Sequence, residues 1–209
     1  RCQYEPSNLK AIQLVRDGKI GKLELVESSF GFNIAKGEWR TNNKMAGGGP
    51  MMDVGIYSLN ACRYITGEDP VEVSAFSSVL DKDGRFDRVE ENLVWSMRFP
   101  SGVLASCSTS YGGNPGNYYR AIGSQGVIQV EPAFSYEGLH IKANLADKTK
   151  IDEDTNDPNP QQFQREADHF AECIVQNKEP RTSGEEGLKD MKVISAIYQS
   201  CAEKRFVTV

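Results

Sequence analysis

Four polar side chains in one stretch of this sequence could bind hydroxyl groups and move a proton. At about 100° per residue of a helix, they fall within roughly 60° of one another. Asp and Asn are weak helix formers, and a solvated stripe normally carries Lys, Glu or Gln instead. The stripe therefore indicates a functional cleft, although a buried helix whose polar stripe meets solvent is the alternative. Its members are Asp53, Tyr57, Asn60 and Tyr64.

A run of three glycines, Gly47 to Gly49, lies directly before this helix. It is not the dinucleotide-binding fingerprint, which needs G-x-G-x-x-G after a hydrophobic strand within a βαβ unit. The run could be a flexible loop, or it could let the backbone approach a ligand closely at the start of a helix. Because the polar stripe follows at once, we favour the second interpretation.

Four helices are expected to frame the stripe. Apolar residues at helical spacing predict helices over residues 6–17 and 50–66, and two more, over 161–177 and 187–203, close the chain. These helices are expected to pack their apolar faces on a sheet. In the third of them, the apolar face consists of Phe163, Ala167, Phe170 and Ile174.

Residues 71–151 show the two-residue period of strands instead. A turn after the first clear strand predicts a hairpin over residues 93–109. The order of elements predicts an α+β domain, with an open, predominantly antiparallel sheet and helices packed on one face. Leu, Val, Trp and Phe side chains would then be exposed on the face without helices. Because large apolar patches usually mark interfaces, we expect self-association through that face. The alternating apolar residues of the first strand are Leu93, Trp95, Met97 and Phe99.

The composition indicates a single domain and excludes several classes of partner. The chain has 209 residues, 39% of them hydrophobic, enough for one packed core. A formal charge of -5 without a basic block argues against nucleic acid or a membrane surface as partner. No stretch of about 18 apolar residues could cross a membrane. The five cysteines show no C-x-x-C or zinc-like spacing, so we expect reduced thiols and no metal site.

The stretch around the polar stripe resembles the C-terminal domain of the Gfo/Idh/MocA oxidoreductase family. The resemblance is carried by Trp39-Arg40, followed by Ala46-Gly-Gly-Gly-x-x-x-Asp-x-Gly-x-Tyr-x-x-Asn60, and it covers essentially the whole chain. Most members have His where this chain has Tyr57, so the sequence resembles the glucose-fructose oxidoreductase branch most of all. Further support comes from the segments 1–8, 184–187 and 196–198.

The resemblance implies a fold of the dihydrodipicolinate-reductase type and an enzyme that uses NADP or NAD. In the family an N-terminal Rossmann domain holds the cofactor and supplies a catalytic lysine. By this resemblance, residues 1–209 are one substrate-binding, catalytic and oligomerisation domain, and the Rossmann domain is absent from the chain. Asp53 and Tyr57 match the catalytic residues, and Trp39 and Arg40 match the cofactor contacts. A homodimer or homotetramer through the open sheet face is implied as well.

The chemistry of sugar oxidation explains these residue types. Oxidation of a hydroxyl removes a hydride and a proton, and the proton needs a positioned base. A free tyrosine has a pKa of about 10 and is a poor base at neutral pH, but a nearby lysine ammonium of the absent domain would favour the phenolate of Tyr57 and lower that pKa. Asp53 can orient the hydroxyl or that lysine, and Arg40 is a natural fork for a phosphate or sugar oxygen. The candidate substrate contacts are Asn60, Tyr4 and Tyr136.

Other polar residues carry weaker signals. Tyr111, Tyr118 and Tyr119 could line the sugar site, but tyrosine is also an ordinary residue of sheets. His140 and His169 stand alone in the sequence and are interpreted as structural or surface histidines. No Ser/His/Asp or Cys/His triad can be proposed.

The leading hypothesis is therefore an NAD(P)-dependent oxidoreductase that acts on a small-molecule sugar or polyol, located in the cytoplasm, with the periplasm left open. One alternative is a glycosidase that oxidises its substrate transiently with bound NAD. Another is a non-catalytic binding or dimerisation module, although the intact Asp53 and Tyr57 pair argues against it.

Overall fold

A computed structural model describes residues 1–42, 46–155 and 161–209 of the chain. After a short 3₁₀ turn at Cys2–Tyr4, the described residues form five α-helices, of which the third continues directly from a π-helical turn at Met51–Gly55. The helices are α1 (Pro6–Arg16), α2 (Trp39–Asn42), α3 (Ile56–Thr66), α4 (Gln161–Gln176) and α5 (Gly184–Glu203).

Nine strands within the described residues make one sheet, in the spatial order β8-β7-β6-β5-β1-β4-β3-β2-β9. Neighbouring strands are antiparallel except for β1 and β4, which run parallel at the centre. The strands are β1 (Leu23–Gly31), β2 (Glu72–Ser78), β3 (Asn92–Arg98), β4 (Leu104–Ser110), β5 (Asn117–Gly123), β6 (Gly126–Val130), β7 (His140–Asn144), β8 (Lys150–Asp154) and β9 (Val207–Thr208).

One face of this sheet carries the core. Register places small and branched apolar residues side by side across the strands, because alternate residues of a strand point to the same face. Helices α1, α3 and α5 pack on that face and complete one continuous apolar cluster. The predicted α+β fold, with a mostly antiparallel open sheet, is confirmed. One row of core residues across the sheet runs Val207, Val73, Met97, Ala105, Val26, Ala121, Ile128, Ala143 and Ile151.

The opposite face of the hairpin is more polar than expected. The alternating apolar residues Leu93, Trp95, Met97 and Phe99 all belong to the core, so the expectation that Trp and Phe of this hairpin would be exposed on the open face is wrong. The two-residue period places all of them on the helix-covered side. The residues that remain on the open side are Val94, Ser96, Arg98, Leu104, Ser106 and Ser108.

Helix α4 does not pack as its sequence predicts. Its buried residues are Gln162 and Cys173, and it contacts the Cys2–Tyr4 turn. These positions lie roughly a quarter turn from the apolar stripe at 100° per residue. The expectation that this helix covers the sheet with its stripe is therefore wrong. Three large residues of the stripe, Phe163, Phe170 and Ile174, are 41%, 56% and 66% exposed.

The cysteines are unbridged, as expected. Cys62 on α3 and Cys107 on β4 are buried, and their sulfurs lie 3.5 Å apart as free thiols. Burial raises the pKa of the Cys107 thiol well above its usual range, so it stays neutral in the core. Within the described ranges, no helix is long and apolar enough to span a bilayer.

Candidate active site

An open cleft of about 500 Å³ lies where the π-helical turn and the start of α3 meet the end of the sheet. One wall comes from the helix and β1, and the other comes from the loop that follows β6. The cleft contains four of the residues singled out from the sequence, namely Arg40, Asp53, Tyr57 and Tyr136. The full lining is Arg1, Phe30, Phe32, Arg40, Asp53, Val54, Tyr57, Asn117, Phe134, Ser135 and Tyr136.

Asp53 sits in the π-helical turn, where the Ile56 amide donates to the carbonyl of Met51, five residues earlier. Such turns are rare and often mark functional sites. Within the described part of the chain two groups hold its carboxylate, and both contact Oδ2. The Tyr111 hydroxyl donates to it at 2.6 Å, and the Arg40 Nε lies 3.2 Å away. A ligand can therefore meet the other oxygen of this carboxylate.

Arg40 and Trp39 form the rim beside Asp53. The Arg40 guanidinium lies 4.9 Å from the centre of the Trp39 ring, a cation–π contact, and its Nη1 is 3.8 Å from the Glu38 carboxylate. The Trp39 side chain is exposed. The pair thus presents a flat aromatic surface and a cation next to the carboxylate of Asp53.

Tyr57 lies one turn further along the helix, with its ring packed against Phe30 at 5.6 Å and Phe134 at 5.7 Å. Burial raises the pKa of its phenol above the ordinary 10.0, and the nearby Arg1 guanidinium acts in the opposite direction. That guanidinium is 5.1 Å from the centre of the Tyr57 ring. In this chain Tyr57 is therefore a neutral phenol at physiological pH, able to donate a proton or a hydrogen bond.

Tyr136 closes the other side of the cleft. Its ring centre lies 4.7 Å from the Arg1 guanidinium and 5.5 Å from the Phe163 ring on α4. Arg1 is anchored by the carbonyls of Phe134 and Ser135, at 2.6 and 3.2 Å. One arginine therefore sits between the candidate acid–base residue and a candidate substrate contact.

Two further candidates lie outside the cleft. The Asn60 amide donates to Asp190 Oδ2 on α5 at 3.0 Å, and Tyr4 is buried with its hydroxyl 3.1 Å from Thr182. The sequence predicts the stripe on a regular helix, but the described helix begins with a π turn, and Asn60 faces α5. The geometry therefore does not support Asn60 or Tyr4 as substrate contacts.

The glycine run approaches protein groups rather than a vacant ligand site. A side chain at Gly48 would collide with the Tyr198 hydroxyl, and one at Gly49 would collide with Glu90. The Glu90 carboxylate accepts the amides of Gly49 and Met51 at 3.1 and 3.2 Å. The interpretation of a ligand at this helix start is therefore corrected, because a side chain of the protein itself caps it.

Arg1, Phe134 and Asn117 line the cleft, but the sequence does not identify them as site residues. Asn117 fixes the loop after β6, since its side-chain oxygen accepts the amides of Ala133 and Phe134 at 3.0 and 2.7 Å. These residues are far from the motif in sequence and belong to no local pattern. The pairing of β1 with β5 sets Asn117 opposite Phe30, and the loop after β6 brings Phe134 to the cleft and holds Arg1 there.

The described residues fit one end of a nicotinamide cofactor. Trp39 and Arg40 supply a ring and a cation at the mouth of the cleft. The helix after the glycine run cannot take a pyrophosphate, because the Glu90 carboxylate occupies its first amides and would repel a second anion. Most of a dinucleotide would have to be held elsewhere. No cluster of metal ligands occurs among the residues that the structure describes.

A sequence model for the GFO/IDH/MocA C-terminal domain matches residues 8–129. Among curated proteins, D-xylose 1-dehydrogenase (NADP(+)) of Haloarcula marismortui is 28% identical over an alignment of 215 positions, which covers 96% of this chain and 56% of that protein. The chain thus spans little more than half the length of this relative.

Two solved structures have the same fold as this chain. The aldose-aldose oxidoreductase from Caulobacter crescentus, complexed with glycerol, matches all of this chain and 62% of its own length, with a TM-score of 0.92 and 41% identity. A levoglucosan dehydrogenase, in complex with NADH and levoglucosan, matches with a TM-score of 0.85, 18% identity, all of this chain and 64% of its own. At that identity the second likeness concerns the fold alone.

Proposed function

This chain belongs to the GFO/IDH/MocA family, and we propose that it is the substrate domain of an NAD(P)-dependent oxidoreductase acting on a sugar or polyol. The observation that carries the proposal is the meeting of Asp53 and Tyr57 in one open cleft. A carboxylate and a phenol one helical turn apart can bind a hydroxyl group and exchange its proton.

The residues of the cleft have different roles in the proposed reaction. Tyr57 exchanges the proton of the reacting hydroxyl, because its phenol opens onto the cleft beside a cation. Asp53 accepts a hydrogen bond from that hydroxyl and orients it. Phe30 and Phe134 exclude water from the inner side of the Tyr57 ring. The nicotinamide cofactor, when bound, supplies or accepts the hydride.

The raised pKa of Tyr57 determines the direction in which the phenol works unaided. As a neutral group it donates a proton, which suits the reduction of a carbonyl. For the oxidation of a hydroxyl, Tyr57 must lose its proton first, and a second cation near the ring would favour this loss. We propose that a lysine of a cofactor-binding domain adds its charge to that of Arg1.

The substrate class is narrowed by the relatives. The Caulobacter relative is named an aldose-aldose oxidoreductase, and the Haloarcula relative is named a xylose dehydrogenase. We propose aldoses as substrates, with NADP or NAD as cofactor. Transfer between two sugars, as in glucose-fructose oxidoreductase, is the finer form of this proposal, and Tyr57 at the acid–base position favours it.

The exposed stripe of α4 supports a cofactor domain in the same polypeptide. Phe163 begins the stripe and also touches Tyr136 at the cleft, so a body that covers the stripe also reaches the cleft. The relatives extend well beyond the matched region. We propose that a nucleotide-binding domain packs here, and that it holds most of the cofactor.

We propose in addition that copies of the protein associate through the open face of the sheet as a homodimer or homotetramer. The apolar part of that face is small, with Leu25 paired beside Leu104 and Val94 beside Phe76. Serines occupy much of the rest of this face. Association of two copies would therefore depend more on the close fit of two flat surfaces than on the apolar area that they bury. A cytoplasmic location stays a prediction from the sequence.

The test is an assay of the enzyme that contains this chain, with NAD and NADP, against aldoses and polyols. A single oxidised sugar should reduce the nicotinamide stoichiometrically, whereas transfer between two sugars should oxidise one and reduce the other with no net change in the cofactor. Either activity should fall sharply in Tyr57→Phe. Hydrolysis of glycosides without net cofactor turnover would instead identify a glycosidase. A protein that binds sugars with no turnover and no nicotinamide would identify a binding module.

A further inference from the structure

Tyr111 is a buried residue whose hydroxyl reaches the edge of the cleft. Its ring has no solvent exposure and packs with Ile34, Val54 and Phe86 in a small cluster separate from the main core. The hydroxyl donates to Asp53 Oδ2 at 2.6 Å. A phenol that donates to a carboxylate at this distance makes a charge-assisted hydrogen bond, which is stronger and more directional than a neutral one.

The backbone of Tyr111 is fixed on both sides. Its amide donates to the Glu91 carbonyl at 2.9 Å, and its carbonyl accepts the Ile34 amide at 2.9 Å. The ring also lies 5.3 Å from the ring of Phe32, which lines the cleft. Because the backbone is held and the ring is fully buried, the phenol cannot swing away from the carboxylate without disrupting the packing around it.

A loop between β2 and β3 closes over this ring. Phe86 in the loop is buried against Tyr111. The adjacent Arg85 ties the loop down, since it donates to the Ile34 carbonyl at 2.8 Å and pairs with Asp83 at 2.8 Å. The position of the phenol is thus set by a braced piece of structure whose side chains lie outside the cleft.

We propose that Tyr111 is a positioning residue, which holds Asp53 by Oδ2 so that the other carboxylate oxygen faces the substrate hydroxyl. Among the described residues, both partners of Asp53 contact Oδ2, which leaves Oδ1 for a ligand. Arg40 is half-exposed and can move, whereas Tyr111 is held rigidly. The inference rests on the proposed function only for the nature of the ligand, a sugar or polyol.

The chain contains a matched pair for comparison. Tyr198 on α5 is a partly buried tyrosine whose hydroxyl, like that of Tyr111, donates to a carboxylate, here Glu90 Oε1 at 2.9 Å. That carboxylate caps the start of the same helix and does not line the cleft. Replacement of either tyrosine by Phe removes one O–H group and keeps the ring. The two variants therefore differ mainly in which carboxylate loses its donor.

The experiment compares Tyr111→Phe with Tyr198→Phe in the enzyme that contains this chain, by steady-state kinetics and thermal unfolding. Both should lower the Tm by about 2 to 6 °C, since each removes one buried hydrogen bond. Tyr111→Phe should lower kcat by about 10- to 100-fold, the scale expected when a reacting group is misplaced. Tyr198→Phe should leave kcat within about twofold of the parent enzyme.

A double-mutant cycle separates positioning from mere support. Because Tyr111 acts through the side chain of Asp53, Tyr111→Phe should cause no further loss of kcat once Asp53→Ala, which removes the acceptor of its hydrogen bond, is present. Independent losses that multiply in the double variant would overturn the inference. So would an unchanged kcat in Tyr111→Phe while Asp53→Asn is impaired, and this outcome leaves the proposed function intact. Unimpaired turnover in both Tyr57→Phe and Asp53→Asn would instead overturn the proposed function itself.

Discussion

Two Arg–Asp ion pairs flank opposite ends of the helical segment that carries the motif, and they differ in burial. Arg40 and Asp53, at the π-helical end, have side chains 38% and 32% exposed. Arg63 and Asp190, at the far end, are 4% and 8% exposed at 2.7 Å. A half-exposed pair contributes little to stability and remains open to a ligand. A buried pair serves the fold, and loss of one partner is costly.

The buried end is the more extensive network. Arg63 donates to Asp190 on α5, to Asp69 after α3 and to Glu186 near the start of α5. Asn60 joins through Asp190. This network ties α3 to α5, so the polar residues in the second half of the stripe support packing. The stripe therefore combines two functions along one helix.

The largest effect should follow from breaking the buried end. Arg63→Met leaves Asp190 buried without its cation, so the free energy of unfolding should fall by about 3–5 kcal/mol. Denaturant titration of the 209-residue chain measures this loss. The matched control is Arg98→Met, which breaks the exposed pair with Glu72 and should cost about 0–1 kcal/mol. Equal losses would show that burial does not distinguish these pairs.

At the cleft end, a substitution should lower the turnover number rather than the stability. Tyr57→Phe keeps the ring between Phe30 and Phe134 but removes the exchangeable proton. We expect kcat to drop by at least about 10²-fold with a nearly unchanged melting temperature. Tyr64→Phe, two turns along the same helix and outside the cleft, is the control. If Tyr57 only binds substrate, KM will rise and kcat will stay.

A smaller loss should follow at the exposed ion pair. Asp53→Asn keeps an oxygen for the Tyr111 hydroxyl but loses the charge that faces Arg40 and the substrate. Turnover should fall by about tenfold or more with residual activity, while the free energy of unfolding changes by about 0–1 kcal/mol. Parallel kinetics and denaturant titration check this. A loss of stability as large as that of Arg63→Met would erase the contrast between the two ends.

The smallest effect concerns pH at the buried end. Hydrogen bonding to Lys189, together with the nearby Arg63, lowers the pKa of Glu186 below its ordinary 4.5. A lowered pKa in the folded state adds stability above the unfolded value, and this is lost as pH falls through the folded value. Glu186→Gln should therefore cost about 1 kcal/mol or less at neutral pH and nothing at strongly acidic pH. Stability curves that stay separated in acid would contradict this.

The sequence predicts the fold well because most helices and strands have a hydrophobic periodicity that can be recognised within the element itself. Period-two alternation in β3, and the apolar faces of α1, α3 and α5, all agree with the tertiary structure. Helix α4 is the exception, since its stripe is apolar but uncovered. Periodicity reports which face is apolar, and it does not report which body covers that face.

The candidate site was predictable only where the motif is contiguous. Asp53 and Tyr57 share a cleft with Arg40 because they are close in sequence. Tyr136 lies outside this motif, and the fold brings it to the same cleft. Asn60 faces α5 because the π turn and the buried Arg63 network set the orientation of the helix. The contributions of Arg1 and Tyr111 depend on long-range pairing, which no local pattern encodes.

The central position of β1 has a consequence for how the chain folds. It pairs with β4 and β5, whose residues begin at Leu104 and Asn117, so β1 is synthesised long before either partner exists. The strands on each side can form as local meanders, but only β1 joins them into one sheet. Such long-range pairing slows folding. Until then the apolar side of β1 lacks cover, and a nascent chain arrested before Leu104 should be prone to aggregate.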